Sequence, residues 1–115
     1  MSGNPIYHIA PREAWGRAQA EGAYRGDTLA TEGFIHASTA AQVVQVANRF
    51  YRGRTDVVLL CIDAGMVRAE IRYEGGEDGE RFPHIYGALN LDAVSRVLEF
   101  RPMSDGTFEM PPGAG

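Results

Sequence analysis

Helical periodicity in this chain is confined to two segments, and both precede most of the segments that alternate like strands. After Pro11, which suits a first helical turn, Ala14, Trp15, Ala18 and Gly22 recur at helical spacing, with Gly22 as the stop. Ala40, Val43, Val44, Ala47, Phe50 and Tyr51 form a second stripe that ends at Gly53. Short runs of strand character occupy residues 5–9, 33–36, 57–62, 69–74, 94–100 and 107–110. That order favours an α+β fold over a regular parallel α/β fold: a bent, mostly antiparallel sheet of six or seven short strands with two main helices.

Punctuation residues set the boundaries. Thr39, followed three residues later by Gln42, reads as a capping box opening the second helix. Residues 23–32 read as a loop, residues 63–65 as a turn, the acidic residues 74–80 as a solvated loop, and Asp105-Gly106 as a hairpin turn. In residues 69–74, Ile71 and Tyr73 are expected inward, with Glu70, Arg72 and Glu74 outward. Pro83 cannot donate a ladder bond, so His84, Ile85 and Tyr86 are expected at a sheet edge or in a connecting loop. At 115 residues the chain is expected to form a single domain, with a core over residues 5–110 and a loose tail over 111–115.

Charge and composition exclude several functions. The net charge of −4, from 15 acidic and 11 basic residues, argues against nonspecific binding to nucleic acid or anionic membrane. Every basic residue is arginine, so a lysine Schiff base is unavailable. No apolar run approaches the ~20 residues that span a bilayer. Residues 1–5 lack the charged start and apolar core of a signal peptide, so a cytoplasmic protein is expected. The single cysteine, Cys61, lies in the apolar run 57–62 and is expected to be a buried, unreactive core residue.

The chemistry gathers around three histidines, His8, His36 and His84, each in or beside a short strand segment. His36 lies in Glu32-Gly33-Phe34-Ile35-His36-Ala37-Ser38, where a strand feeds directly into a helix and the Ser38 hydroxyl is not needed for the cap. His8 shares a strand face with Ile6, and His8 and His36 are expected to line one cleft. Three imidazoles with Glu74 or Asp63 would suit zinc, but no pair has the i, i+4 spacing of a helical chelating motif, so no metal is expected. Ser38 lacks a nucleophile elbow, and no glycine-rich phosphate loop is present. What remains is polar recognition of a small, phosphate-bearing ligand, with imidazoles, arginine and a helix N-terminus supplying donors. The alternative is a noncatalytic binding or interaction module in which the histidines are structural.

Five ordered motifs resemble a known family: Tyr7-His8-Ile9, the 32–38 segment, Asn48-Arg49-Phe50-Tyr51, Tyr73-Glu74 and Phe82-Pro83-His84-Ile85-Tyr86-Gly87. Over residues 5–100 the chain resembles the small bacterial proteins grouped as domain of unknown function 952. The resemblance implies a fold like that of the ADP-ribosyltransferases and NAD or a related ADP-ribosyl compound as ligand. It further implies that His8 contacts a ribose, that His36 and Ser38 contact ribose or phosphate, and that Arg49 pairs with phosphate. Tyr86 would stack on a ring and His84 would complete the pocket wall. The segment 35–38 is also similar to the His-bearing strand of the RNA 2′-phosphotransferases. In transfer chemistry His36 would be catalytic with Glu74, although Glu70 and Glu99 lie in strands as well. The resemblance leaves the acceptor and the oligomeric state open.

Overall fold

The computed structural model describes residues 4–75 and 78–114. The residues that explain it best are those of β4 (Val57–Asp63), which pairs antiparallel with β1 (Pro5–Pro11) on one side and β8 (Val94–Glu99) on the other. A strand covered on both faces gains nothing from polar alternation, and Val57 through Ile62 are all buried. Its pleat divides the interior in two. On one face Ile6, Ala10, Val58, Leu60 and Ile62 pack with Ala18, Tyr24, Ile35, Ile85 and Leu89. On the other, Tyr7, Ile9, Leu59 and Cys61 pack with Val43, Ala47, Phe100 and Phe108.

Cys61 is 5 % exposed, and burial pushes its thiol pKa up, which removes the thiolate that alkylating reagents need. Native protein should therefore label slowly with a thiol reagent and quickly only once unfolded. Fast labelling of the native protein would contradict this packing.

The first face is covered by α1 (Arg12–Glu21), which ends where Gly22 adopts φ 90° and donates its N–H to the Ala18 carbonyl. The second is covered by α3 (Ala40–Phe50), whose capping box holds as expected: Gln42 Oε1 accepts the Thr39 N–H at 3.0 Å. The Gln42 amide also donates to the Arg81 carbonyl at 2.7 Å, so Gln42 is buried although it lies off the apolar stripe. Phe50, expected on that stripe, is instead 65 % exposed.

A separate sheet has the order β3 (Ile35–His36), β6 (Arg81–Tyr86), β5 (Glu70–Gly75), all antiparallel. It joins the first sheet through reciprocal backbone bonds between Tyr7 and Ser38, at 2.7 and 2.8 Å. A third pair joins β2 (Ala23–Tyr24) to β7 (Leu89–Asn90). The antiparallel α+β expectation is met, but with eight strands in three hydrogen-bonded sheets and three α-helices among the described residues.

Several expectations are corrected. Residues 23–32 are not a plain loop, since they contain β2 and the short helix α2 (Leu29–Glu32). Residues 84–86 are neither at an edge nor in a loop, because β6 is the middle strand of its sheet. Pro83 is tolerated there because β3 ends at His36. Ala37 N–H still donates to the Pro83 carbonyl at 3.0 Å, and only the reciprocal bond, which proline cannot make, is forgone. Tyr73, expected inward, is 45 % exposed.

Residues 107–110 form no strand. The Asp105-Gly106 turn does form, but the Phe108 N–H goes to the Asn48 side chain at 2.6 Å while its ring packs on Phe100. The tail is tied down as far as Ala114, whose carbonyl accepts from the buried Tyr7 hydroxyl at 2.6 Å. Residues 1–3, 76–77 and 115 lie outside the described residues, and with them most of the N-terminal reading, part of the acidic loop 74–80 and the last residue of the tail.

Candidate functional site

Pairing in the β3, β6, β5 sheet decides which side chains meet. Ile35 is opposite Ile85 and Ile85 opposite Ile71, a row that turns toward the interior. The alternate residues therefore share the other face: His36 is opposite His84, His84 opposite Arg72, Tyr86 opposite Glu70 and Phe82 opposite Glu74. The His36 and His84 ring centroids are 5.3 Å apart at 75°. Phe34, just ahead of β3, stacks on His84 at 4.0 Å and 16° and meets His36 edge-on at 4.8 Å.

Carboxylates hold both imidazoles. His84 Nδ1 is 2.9 Å from Glu74 Oε1, a diagonal contact between β6 and β5, and the Tyr86 hydroxyl donates to the same oxygen at 2.5 Å. Those two bonds lower the Glu74 pKa. His36 Nε2 is 3.2 Å from Glu32 Oε1 at the end of α2, in an exposed pair. The Arg72 guanidinium lies 4.4 Å from the Tyr86 ring centroid and also bonds Glu70.

His8 is engaged differently. Its Nδ1 is 2.5 Å from the His36 carbonyl oxygen, which can only accept, so Nδ1 carries the hydrogen. Its Nε2 is then the acceptor for the Tyr24 hydroxyl at 2.7 Å. Burial pushes the His8 pKa down to about 4, opposed in part by the bond to the His36 carbonyl and by the charge of Asp27. Both ring nitrogens are thus satisfied inside the protein. Burial likewise raises the pKa of Tyr24, and it raises that of Tyr51 with help from Asp27.

A cavity of about 580 Å³ opens beside these groups, within the usual size range of small-molecule sites. His8, His36, Ser38 and His84 all line it, so the expected shared cleft exists. Ser38 is 5 % exposed. Arg49 is not part of it: it is exposed, and its guanidinium lies 5.3 Å from the centroid of the Phe50 ring. Glu74 reaches His84 and Tyr86 reaches Glu74, but neither lines the cavity itself.

Asp27, Thr28, Tyr51, Arg54 and Phe82, none of them anticipated, complete much of the wall. Arg54 is already paired with Asp56 through two bonds of 2.9 and 2.7 Å. In the sequence Arg54 is marked only by its place just past Gly53, three residues beyond the end of α3, and Asp27 and Thr28 lie in residues 23–32, which read as a loop. Among the described residues no three His, Cys, Asp or Glu side chains gather as a metal shell. Nor, among them, is any helix long and apolar enough to cross a membrane.

The model of a protein family described as of unknown function, DUF952, matches residues 9–97, a span that holds β3, β5, β6 and two of the three histidines, His36 and His84. The chain belongs to the DUF952 family. Among solved structures, this DUF952 chain is similar to the crystal structure of protein CC0527 from Caulobacter crescentus, with TM-score 0.85 and 31 % identity over 92 % of this chain and 94 % of that one. The solution NMR structure of CC0527 gives TM-score 0.78 and 32 % identity over 90 % of each chain. No curated protein matches this DUF952 member.

Proposed function

We propose that this protein is a small cytoplasmic enzyme with an ADP-ribosyltransferase-like fold, binding NAD or a related ADP-ribosyl compound beside β3 and transferring its ADP-ribose unit. The observation that carries this reading is the meeting of His36 and His84, register partners on adjacent strands, at the wall of a cavity of about 580 Å³. Phe82 and Tyr51 offer rings for a base or a nicotinamide. Ser38 stands one residue ahead of the Thr39 cap, where first-turn amides of a helix lack intrahelical partners and suit an anion. Arg54 takes the phosphate role first assigned to Arg49; its pair with Asp56 is exposed and costs little to open. His36 and Ser38 contact ribose or phosphate. His8 holds the backbone of His36 and contributes no free nitrogen.

The second reading, a noncatalytic module with structural histidines, draws its support from that saturation of His8. A thermal-shift series with NAD, ADP-ribose, AMP and zinc chloride separates the two. A ligand at about 100 times its Kd adds about 2.7 kcal/mol, which raises Tm by roughly 10 °C in a domain of this size. The expected result is a rise with NAD or ADP-ribose. No rise with any nucleotide would overturn the proposal and leave the second reading.

A further inference from the structure

We propose that His84 is the general base of this site and that Glu74 is its positioning residue rather than a group that touches substrate. This deepens the ADP-ribosyl reading above and rests on it for the identity of the substrate. Three features of His84 suit it to that role. First, Glu74 is an ionised acceptor held by Tyr86, so the hydrogen between Glu74 and His84 belongs to Nδ1. In the neutral ring the lone pair is therefore on Nε2. Second, the ring is clamped flat against Phe34 and its side chain is only 12 % exposed, so its orientation is fixed. Third, it lines the cavity while Glu74 does not.

His8 cannot serve, because both of its nitrogens are bonded within the protein. His36 is half exposed, meets Phe34 only edge-on, and its ring bonds Glu32 at 3.2 Å, a looser mounting. A carboxylate thus fixes the tautomer of an imidazole that lines the cavity, the pairing that general-base catalysis uses elsewhere, where the far nitrogen accepts the proton.

The step assigned to His84 is activation of an oxygen acceptor. A hydroxyl or water oxygen attacks C1′ of the ribose and the new C–O bond forms. The C1′–N bond breaks, and its electron pair leaves with neutral nicotinamide. The hydroxyl proton passes to His84 Nε2, and the imidazolium is stabilised by Glu74 until the proton returns to solvent. With water as acceptor, NAD and water yield ADP-ribose, nicotinamide and one proton.

Two measurements test this. Long-range nitrogen–proton NMR on the unliganded protein, at a pH where the ring is neutral, should show His84 protonated at Nδ1. In Glu74→Ala the population should move toward the Nε2–H form that free imidazole prefers. Nicotinamide release from NAD is the second readout. His84→Asn should lower kcat about 100-fold or more, while the Tm rise produced by ADP-ribose, which confirms a folded site, is retained. His84 found protonated at Nε2 in the wild type would overturn the proposal, as would His84→Asn turning over NAD within about twofold of wild type. If neither NAD nor ADP-ribose binds the wild type, the substrate class falls, and the assignment of His84 is then decided by the tautomer measurement alone.

Discussion

Lowering the pH from about 7 to about 5 should remove about 2 kcal/mol of folding stability through His8 alone. The ring titrates at about 4 in the folded protein against 6.5 for an unperturbed histidine. A depressed histidine pKa means that the unfolded chain takes up its proton first. The contribution of His8 is therefore complete above the unfolded value and is lost as the pH falls from there toward the folded value. The groups around the ring are Tyr24, the His36 carbonyl and the charges of Asp27 and His36, and none of them outweighs burial. His8→Asn isolates the effect, because its amide offers a donor to the His36 carbonyl and does not titrate. Urea unfolding at the two pH values should show a loss in the wild type that exceeds the loss in His8→Asn by about 2 kcal/mol, equivalent to a Tm difference of roughly 8 °C. An equal loss in both proteins would show that His8 is not held neutral by its surroundings.

Long, strongly patterned segments were legible in the sequence, and segments held by partners far along the chain were not. Residues 57–62 read as a buried strand because six apolar residues in succession need cover on both faces, which β4 receives. Gly22 and the Thr39 and Gln42 box act locally and behaved as expected. Tyr24 and the two-residue β2 carry no periodicity of their own; they exist because the Tyr24 hydroxyl reaches His8 and its backbone pairs with Leu89. Pro83 misled for the opposite reason. Its rule concerns the missing N–H, and whether that matters depended on β3 being only two residues long. Residues 107–110 have strand composition, yet Asn48 takes the amide that a ladder would have used.

The candidate site follows the same division. His36 and Ser38 were readable from a strand running into a capped helix, and both line the cavity. That His84 lies directly opposite His36 is a matter of register, which no local pattern encodes. Arg49 looked suitable by residue type, but helix geometry turns it outward, and the chain beyond Gly53 brings Arg54 to the wall instead. Glu74 reads as a catalytic carboxylate from its place at the end of the strand segment 69–74. It does end β5 but for Gly75, and there it meets His84 and Tyr86 rather than the cavity.

Replacing His36 with alanine tests most directly whether the cavity beside β3 is a ligand site. The side chain is 50 % exposed and its pair with Glu32 is a surface contact worth at most about 1 kcal/mol. The backbone carbonyl that accepts from His8 survives the substitution, so Tm without ligand should fall by only a few degrees. Ligand binding should suffer far more, by about 1 to 3 kcal/mol, because a phosphate or ribose oxygen loses its donor. The measurement is the Tm of wild type and His36→Ala, each with and without ADP-ribose. A near-wild-type Tm for the unliganded variant, with at least about a third of the ligand-induced rise gone, is the expected result. A variant that keeps the full rise would contradict the site, and so would one that loses roughly 8 °C or more without ligand.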